Sequence, residues 1–201
     1  MKTDILYSFR RCPYAIRVRW ALLICNIKVE LREVDLKNKP SHFLENSETK
    51  TVPILIKKNG EIIEESFDII LWALSETKNK SLENQYLKNN NQSEILDLIS
   101  ENDNEFKYHL DRFKYSTRFN YCDKEFHFLE ANRFIKKCSK LLSKNKWFFG
   151  EEPSIADWCI WPFIRQFKIA CESQKKTDYF EYSIKEWLEY FENHQKFKKL
   201  M

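Results

Sequence analysis

Apolar and polar positions change their rhythm along this chain, and the change divides it. Thr3 to Tyr7 forms a short apolar run. Beyond it Ile16, Trp20, Leu23, Ile24 and Ile27 recur by threes and fours, the spacing of an amphipathic helix. Pro13 suits the first turn of that helix, where a missing N–H costs nothing, and the helix is expected to end near Asn26. Val29 to Val34 alternates apolar and charged residues like a half-buried strand, and Lys39-Pro40-Ser41 opens a short polar helix with Ser41 as its N-cap. Val52-Pro53-Ile54-Leu55-Ile56 reads as a third strand with a proline at its start, and Lys58-Asn59-Gly60 as a turn. Glu61 to Glu64 returns as a fourth strand, and Ser66 caps a helix over Phe67 to Leu74. The order is βαβαββα.

From Glu76 to Gln92 the chain is polar and rich in Asn, which marks a boundary. Past it the pattern is helical throughout, over Ser93 to Tyr115, Cys122 to Leu142, a segment after Pro153, and Ile184 to Asn193. Ser154-Ile155-Ala156-Asp157 is a capping box, and the aromatic run Trp158, Trp161, Phe163 and Phe167 behind it reads as core. No internal repeat is visible. The expected organisation is an α/β domain over 1–76, a linker over 77–92 and an all-helical domain over 93–201.

Composition narrows the classes. The chain has 201 residues and a net charge of only +4, with basic and acidic residues interleaved, so no dedicated nucleic-acid surface is expected. No apolar run is long enough for a membrane span, and the N-terminus enters the first strand without room for a signal peptide, so a cytoplasmic location is expected. Of six cysteines (Cys12, Cys25, Cys122, Cys138, Cys159, Cys171) none forms a CxxC pair or a zinc-type spacing. Free, mostly buried thiols and no metal are expected.

Cys12 differs from the rest. It lies between the first strand and first helix, in Phe9-Arg10-Arg11-Cys12-Pro13-Tyr14-Ala15, where unpaired helical N–H groups and the positive end of the dipole favour a thiolate. Arg10 and Arg11 add positive charge nearby. Arg17 and Arg19 extend the basic cluster, either to tune Cys12 and attract an anion or merely to solvate the helix or pair with acids. Ala15 stands where a resolving cysteine would be needed, so a local dithiol mechanism is not expected.

Five stretches in order carry a family resemblance: Arg11-Cys12-Pro13-Tyr14-Ala15, Leu36-Lys37-Asn38-Lys39-Pro40, Thr51-Val52-Pro53-Ile54-Leu55, Glu64-Glu65-Ser66, and Trp147-Phe148-Phe149-Gly150 through Ser154-Ile155-Ala156-Asp157 to Ile160-Trp161-Pro162. The chain resembles the cysteine-type glutathione transferases, the omega class above all, along with bacterial relatives and two-domain glutaredoxins. That resemblance implies a thioredoxin-like domain followed by a helical one. It implies Cys12 as catalytic residue, Pro53 as a cis-proline, and Val52 pairing with the cysteinyl part of glutathione like an added strand. Ser66 would take the γ-glutamyl carboxylate, Glu65 the α-ammonium and Lys39 the glycyl carboxylate, with the Tyr14 amide bordering the site. A symmetric homodimer is implied as well. Many relatives have Gly shortly before the Val-Pro pair, where this chain has Lys50; either the turn avoids positive φ here or Lys50 adds charge near the tripeptide.

Three functions follow. The first is glutathione-dependent thiol transfer through Cys12: deglutathionylation or dehydroascorbate-type reduction. The second is conjugation of glutathione to electrophiles, with a Tyr7 or Ser8 hydroxyl holding the sulfur. The third is a non-catalytic, transferase-like binding or regulatory protein, against which Cys12 counts.

Overall fold

The computed structural model describes residues 3–82, 91–177 and 179–200. The chain divides into two compact units, Met1–Leu87 with Gln195–Met201, and Lys88–His194.

The first unit is built on a four-stranded mixed sheet of order β2-β1-β3-β4, with β1 Ile5–Ser8, β2 Glu30–Glu33, β3 Ile54–Ile56 and β4 Ile62–Ile63. β1 runs parallel to β2, with Leu6 opposite Leu31, and antiparallel to β3, with Leu6 opposite Leu55. Three helices complete the βαβαββα order: α1 Pro13–Ile24, α2 Ser41–Glu45 and α3 Ser66–Glu76. Side chains alternate across a strand. Ile5, Tyr7, Val34, Ile54 and Ile56 therefore share one face, where Phe43 of α2 closes a core. Leu6 and Leu55 are fully buried on the other, and α1 packs against α3.

Several local expectations change. α1 is not amphipathic: Ala15 through Leu22 are all buried, including Arg17 and Arg19, because each guanidinium finds hydrogen-bond acceptors inside the unit. Ser41 and Ser66 are first helical residues, not N-caps; Pro40 and Glu65 occupy the cap positions, and the Ser66 hydroxyl is engaged by Arg17 instead. Gln195–Met201 belongs to the first unit although its sequence position suggests the helical one. There α9, Phe197–Leu200, packs on α1, Leu200 is buried and Lys196 Nζ donates to Leu23 O at 2.8 Å. Of the expected linker, residues 83–90 lie outside the described ones, while Thr77 is buried and donates to Cys25 O at 3.3 Å.

Lys50 adopts φ +53°, so the turn before Val52 keeps a left-handed residue without glycine. Its N–H donates to Ser47 Oγ at 2.8 Å, and its carbonyl accepts Lys39 Nζ at 2.9 Å, which over-determines the conformation. A branched side chain fits this region worst. Lys50→Val is expected to cost about 1–2 kcal/mol and Lys50→Gly to be neutral or slightly stabilising, read from urea unfolding midpoints.

The second unit is helical. α4 (Gln92–Glu101) continues through a single π-helical turn, Asn102–Phe106, into α5 (Lys107–Lys114), where one uninterrupted helix is expected from the sequence. Asn102, wholly buried within that turn, donates to Asp103 Oδ1. A short 3₁₀ turn, Ser116–Arg118, precedes α6 (Lys124–Leu142), which Asp123 caps by accepting from Phe126 N at 3.0 Å. α7 (Ile155–Ser173) and α8 (Tyr182–Asn193) follow. Trp158, Trp161, Phe163 and Phe167 are core, as their aromatic spacing predicts.

Between α5 and α6, His109 Nδ1 meets His127 Nδ1 at 2.8 Å beneath Tyr108 and Phe126. One proton serves that bond, and two would set like charges against each other and against Arg112. Burial holds both imidazoles below their usual range; for His127 the neighbouring His109 and Arg112 add to it, and for His109 Arg112 and Arg133 do, while Glu130 opposes in both, with Glu105 opposing at His109 and Asp123 at His127. The unfolded chain therefore binds protons first as pH falls below about 6.5, and stability is lost as pH drops through the lowered folded values. The melting temperature should fall between about pH 7 and 5. A His109→Gln/His127→Gln variant should flatten that acid limb in thermal denaturation.

Candidate functional site

The site residues gather around the C-terminal end of β1. β1 ends at Ser8, the chain turns through Cys12 N to Phe9 O at 3.0 Å, and α1 starts at Pro13. Cys12 occupies the N-cap of α1 with extended backbone angles, and its carbonyl takes the first helical N–H, from Ile16 at 2.9 Å. Its half-buried thiol lies 3.7 Å from Val52 O. Val52–Pro53 is a cis peptide immediately before β3, so the nucleophile candidate and the cis-proline segment are neighbours although 40 residues separate Cys12 from Val52 in sequence.

The approach to this pair is held from several sides. Lys39 Nζ sits on Lys50 O, two residues before Val52. The Glu64 carboxylate accepts Glu48 N at 2.6 Å and Thr49 N at 3.1 Å, which fixes the same loop from the β4 side. Partial burial opposes ionisation of Glu64, but these hydrogen bonds outweigh it and hold the carboxyl below its usual range. At the start of α3, exposed Glu65 is the N-cap residue and buried Ser66 follows it. Arg17 donates to Ser66 Oγ from Nε at 3.1 Å and from an Nη at 2.7 Å, and its guanidinium stacks 5.0 Å from the centre of the Tyr14 ring.

Arg10 and Arg11 are exposed, and Arg10 N donates to Glu33 Oε1 at 2.6 Å. Arg17 and Arg19 take the other course: both are buried, which a solvated helix face would not allow. The sequence leaves Arg17 and Arg19 open between tuning Cys12 and solvating the helix, and their burial excludes a solvated face. Glu64 is the side chain whose role residue patterning does not supply, because its partners lie 15 and 16 residues away.

The hydroxyl alternatives are committed elsewhere. Tyr7 is buried, its hydroxyl 2.7 Å from His42 Nδ1 and accepting from Arg32 at 3.0 Å. Ser8, also buried, accepts from Arg19 at 2.5 Å. Nor do the other thiols compete. Burial pushes Cys25 up to about 11 and Cys171 up to about 12, and raises Cys138, which keeps them protonated and inert. Cys159 is buried, and Cys122 donates to Arg112 O at 3.6 Å.

Residues 6–81 match the family model described as the glutathione S-transferase N-terminal domain, and residues 118–192 that of the glutathione S-transferase C-terminal domain. Over 165 residues the chain is 28% identical to glutathione S-transferase omega-1 of Sus scrofa, a stretch covering 80% of this chain and 66% of that protein's length. Glutathione transferase Omega 3C from Trametes versicolor superposes with a TM-score of 0.79 at 15% identity, covering 100% of this chain and 90% of the other. The tau-class glutathione S-transferase from mango, Mangifera indica, gives 0.80 at 17% identity, over 99% and 92%. At such identities the two structures speak to the fold.

Proposed function

Because the chain belongs to the glutathione S-transferase family and is omega-like within it, we propose that it is a glutathione-dependent thiol transferase with Cys12 as nucleophile. The observation that carries this reading is the 3.7 Å approach of Cys12 Sγ to Val52 O beside the cis-proline. A tripeptide pairing with the Val52 backbone as an added strand would bring its own sulfur to Cys12. Lys39 then faces the glycyl carboxylate, Ser66 with the N-terminus of α3 faces the γ-glutamyl carboxylate, Glu65 the α-ammonium, and the Tyr14 amide the edge of the site. Arg17, buried behind Ser66, adds a cation to that anionic end.

The exchange balances without a second protein thiol. The Cys12 thiolate attacks the glutathione sulfur of a glutathionylated acceptor; the acceptor leaves as a thiolate, and a Cys12–glutathione disulfide forms. A second glutathione thiolate attacks that disulfide, releasing oxidised glutathione and restoring Cys12. The commitment of the Tyr7 and Ser8 hydroxyls to other partners favours this route over conjugation. A homodimer and a cytoplasmic location belong to the same reading; no described helix is long and apolar enough to cross a membrane.

Incubation with oxidised glutathione followed by peptide mass spectrometry tests the assignment. One glutathione is expected, on Cys12. An adduct on another cysteine with Cys12 free would defeat it.

A further inference from the structure

Arg19 is the most unusual charge in the first unit. It is 6% exposed, donates to Ser8 Oγ at 2.5 Å and to Arg10 O at 2.8 Å, and its Nε is buried without a hydrogen-bond partner. No carboxylate among the described residues forms an ion pair with it. A buried cation left this way is costly unless an anion forms nearby. The opposite charges it faces are Glu33 and Cys12, and the like charge is Arg10. Glu33 is exposed and already accepts from Arg10 N. Cys12 is the partner that can gain or lose its charge within the site.

We propose that Arg19 is a positioning residue for Cys12: its guanidinium staples the loop 8–12 through Ser8 and Arg10, and it holds behind the nucleophile a positive charge that solvent cannot screen. Resting on the assignment of Cys12 as the nucleophile, this divides the basic cluster. Arg10 and Arg11, at the surface, supply attraction that salt weakens. Arg19, inside, sets the ionisation of the thiol.

The test is the pH dependence of Cys12 alkylation by iodoacetamide, followed by mass spectrometry in the full chain. Arg19→Met should raise the midpoint by about one pH unit, the lower end of what an opposite charge does to a titrating group. Arg19→Lys should return it most of the way, and Ser8→Ala, which keeps the charge, should leave it in place. Should Arg19→Met fail to fold, the unaltered protein decides by itself. A buried source of charge predicts the same midpoint at low salt and at about 1 M salt, where screening reaches within about 3 Å. An Arg19→Met midpoint equal to that of the unaltered protein, a Lys variant no better than Met, or a midpoint climbing with salt would each overturn the proposal. Alkylation needs no glutathione, so a missing glutathione adduct would count against the thiol transferase reading and leave the Arg19 result standing.

Discussion

Asp157→Ala should strongly destabilise the helical unit. The carboxylate is wholly buried and accepts four hydrogen bonds, from Ser154 N at 2.7 Å, Ser154 Oγ at 2.7 Å, Phe148 N at 3.3 Å and Trp187 Nε1 at 2.8 Å. One side chain thus ties the start of α7 to the preceding loop and to α8. Burial raises the carboxyl, and those four donors pull it back towards ionisation. A raised folded value means that protonation favours the fold, so this contribution is full below the unfolded value near 3.9 and fades as pH climbs through the folded one. At neutral pH the charge is a desolvation cost that the donors offset. Alanine removes the acceptor, leaves four buried donors without partners, and also loses the cap. A loss of about 3–5 kcal/mol is expected, a large share of the roughly 5–15 kcal/mol that holds a domain together. Asp157→Asn keeps one acceptor and should lose less, and Ser154→Ala about 1 kcal/mol. Urea unfolding followed by tryptophan fluorescence measures all three; an alanine variant within 1 kcal/mol of the unaltered protein would show that the buried donors find other acceptors.

Cys12→Ala should abolish thiol transfer while leaving the fold intact. The side chain is half-buried at an N-cap and its sulfur lies 3.7 Å from Val52 O, so stability changes little, but the candidate nucleophile is gone. Cys12→Ser keeps the helix start and introduces a hydroxyl that can cap it, yet a hydroxyl cannot form or exchange a disulfide. Both variants should lose at least about a thousandfold in rate with a glutathionylated peptide, the scale on which removal of a covalent nucleophile is felt. Retention of glutathione binding by calorimetry in either variant would separate loss of chemistry from loss of the cradle. Activity in Cys12→Ser close to that of the unaltered protein would point to a hydroxyl mechanism instead.

What could be read from residues alone follows the distance over which each feature is determined. The capping box needs only Ser154 to Asp157, and it is present as spelled. The setting of Cys12 needs only a strand end, a proline and a helical spacing, and it too is present. Of the two readings of Lys50, the one in which the turn avoids positive φ fails, because a left-handed backbone is held there by Ser47 and by Lys39 and not by the residue's own preference. α1 misled for a related reason. Its arginines are buried by acceptors that lie elsewhere, 49 residues away for Arg17 and 11 and 9 for Arg19, and periodicity counts an arginine as a solvent-facing position. The π-helical turn at Asn102–Phe106 leaves the apolar spacing on either side nearly helical, so it passes unnoticed in the pattern.

The return of Gln195–Met201 to the first unit has a practical meaning for anyone who cuts the chain. The unit that carries Cys12 is not a continuous piece of sequence. A fragment stopping at Leu87 would carry every side chain assigned here to the site, yet it would lack Leu200 from its packing and the ammonium of Lys196 from the last turn of α1, whose carbonyl at Leu23 it meets. The helix that presents Cys12 at one end is thus secured at the other by Lys196, 173 positions downstream of the carbonyl it meets. Joining the tail directly to the first unit by a short linker, with the helical unit excised, would keep the Leu200 and Lys196 contacts that the shorter fragment loses.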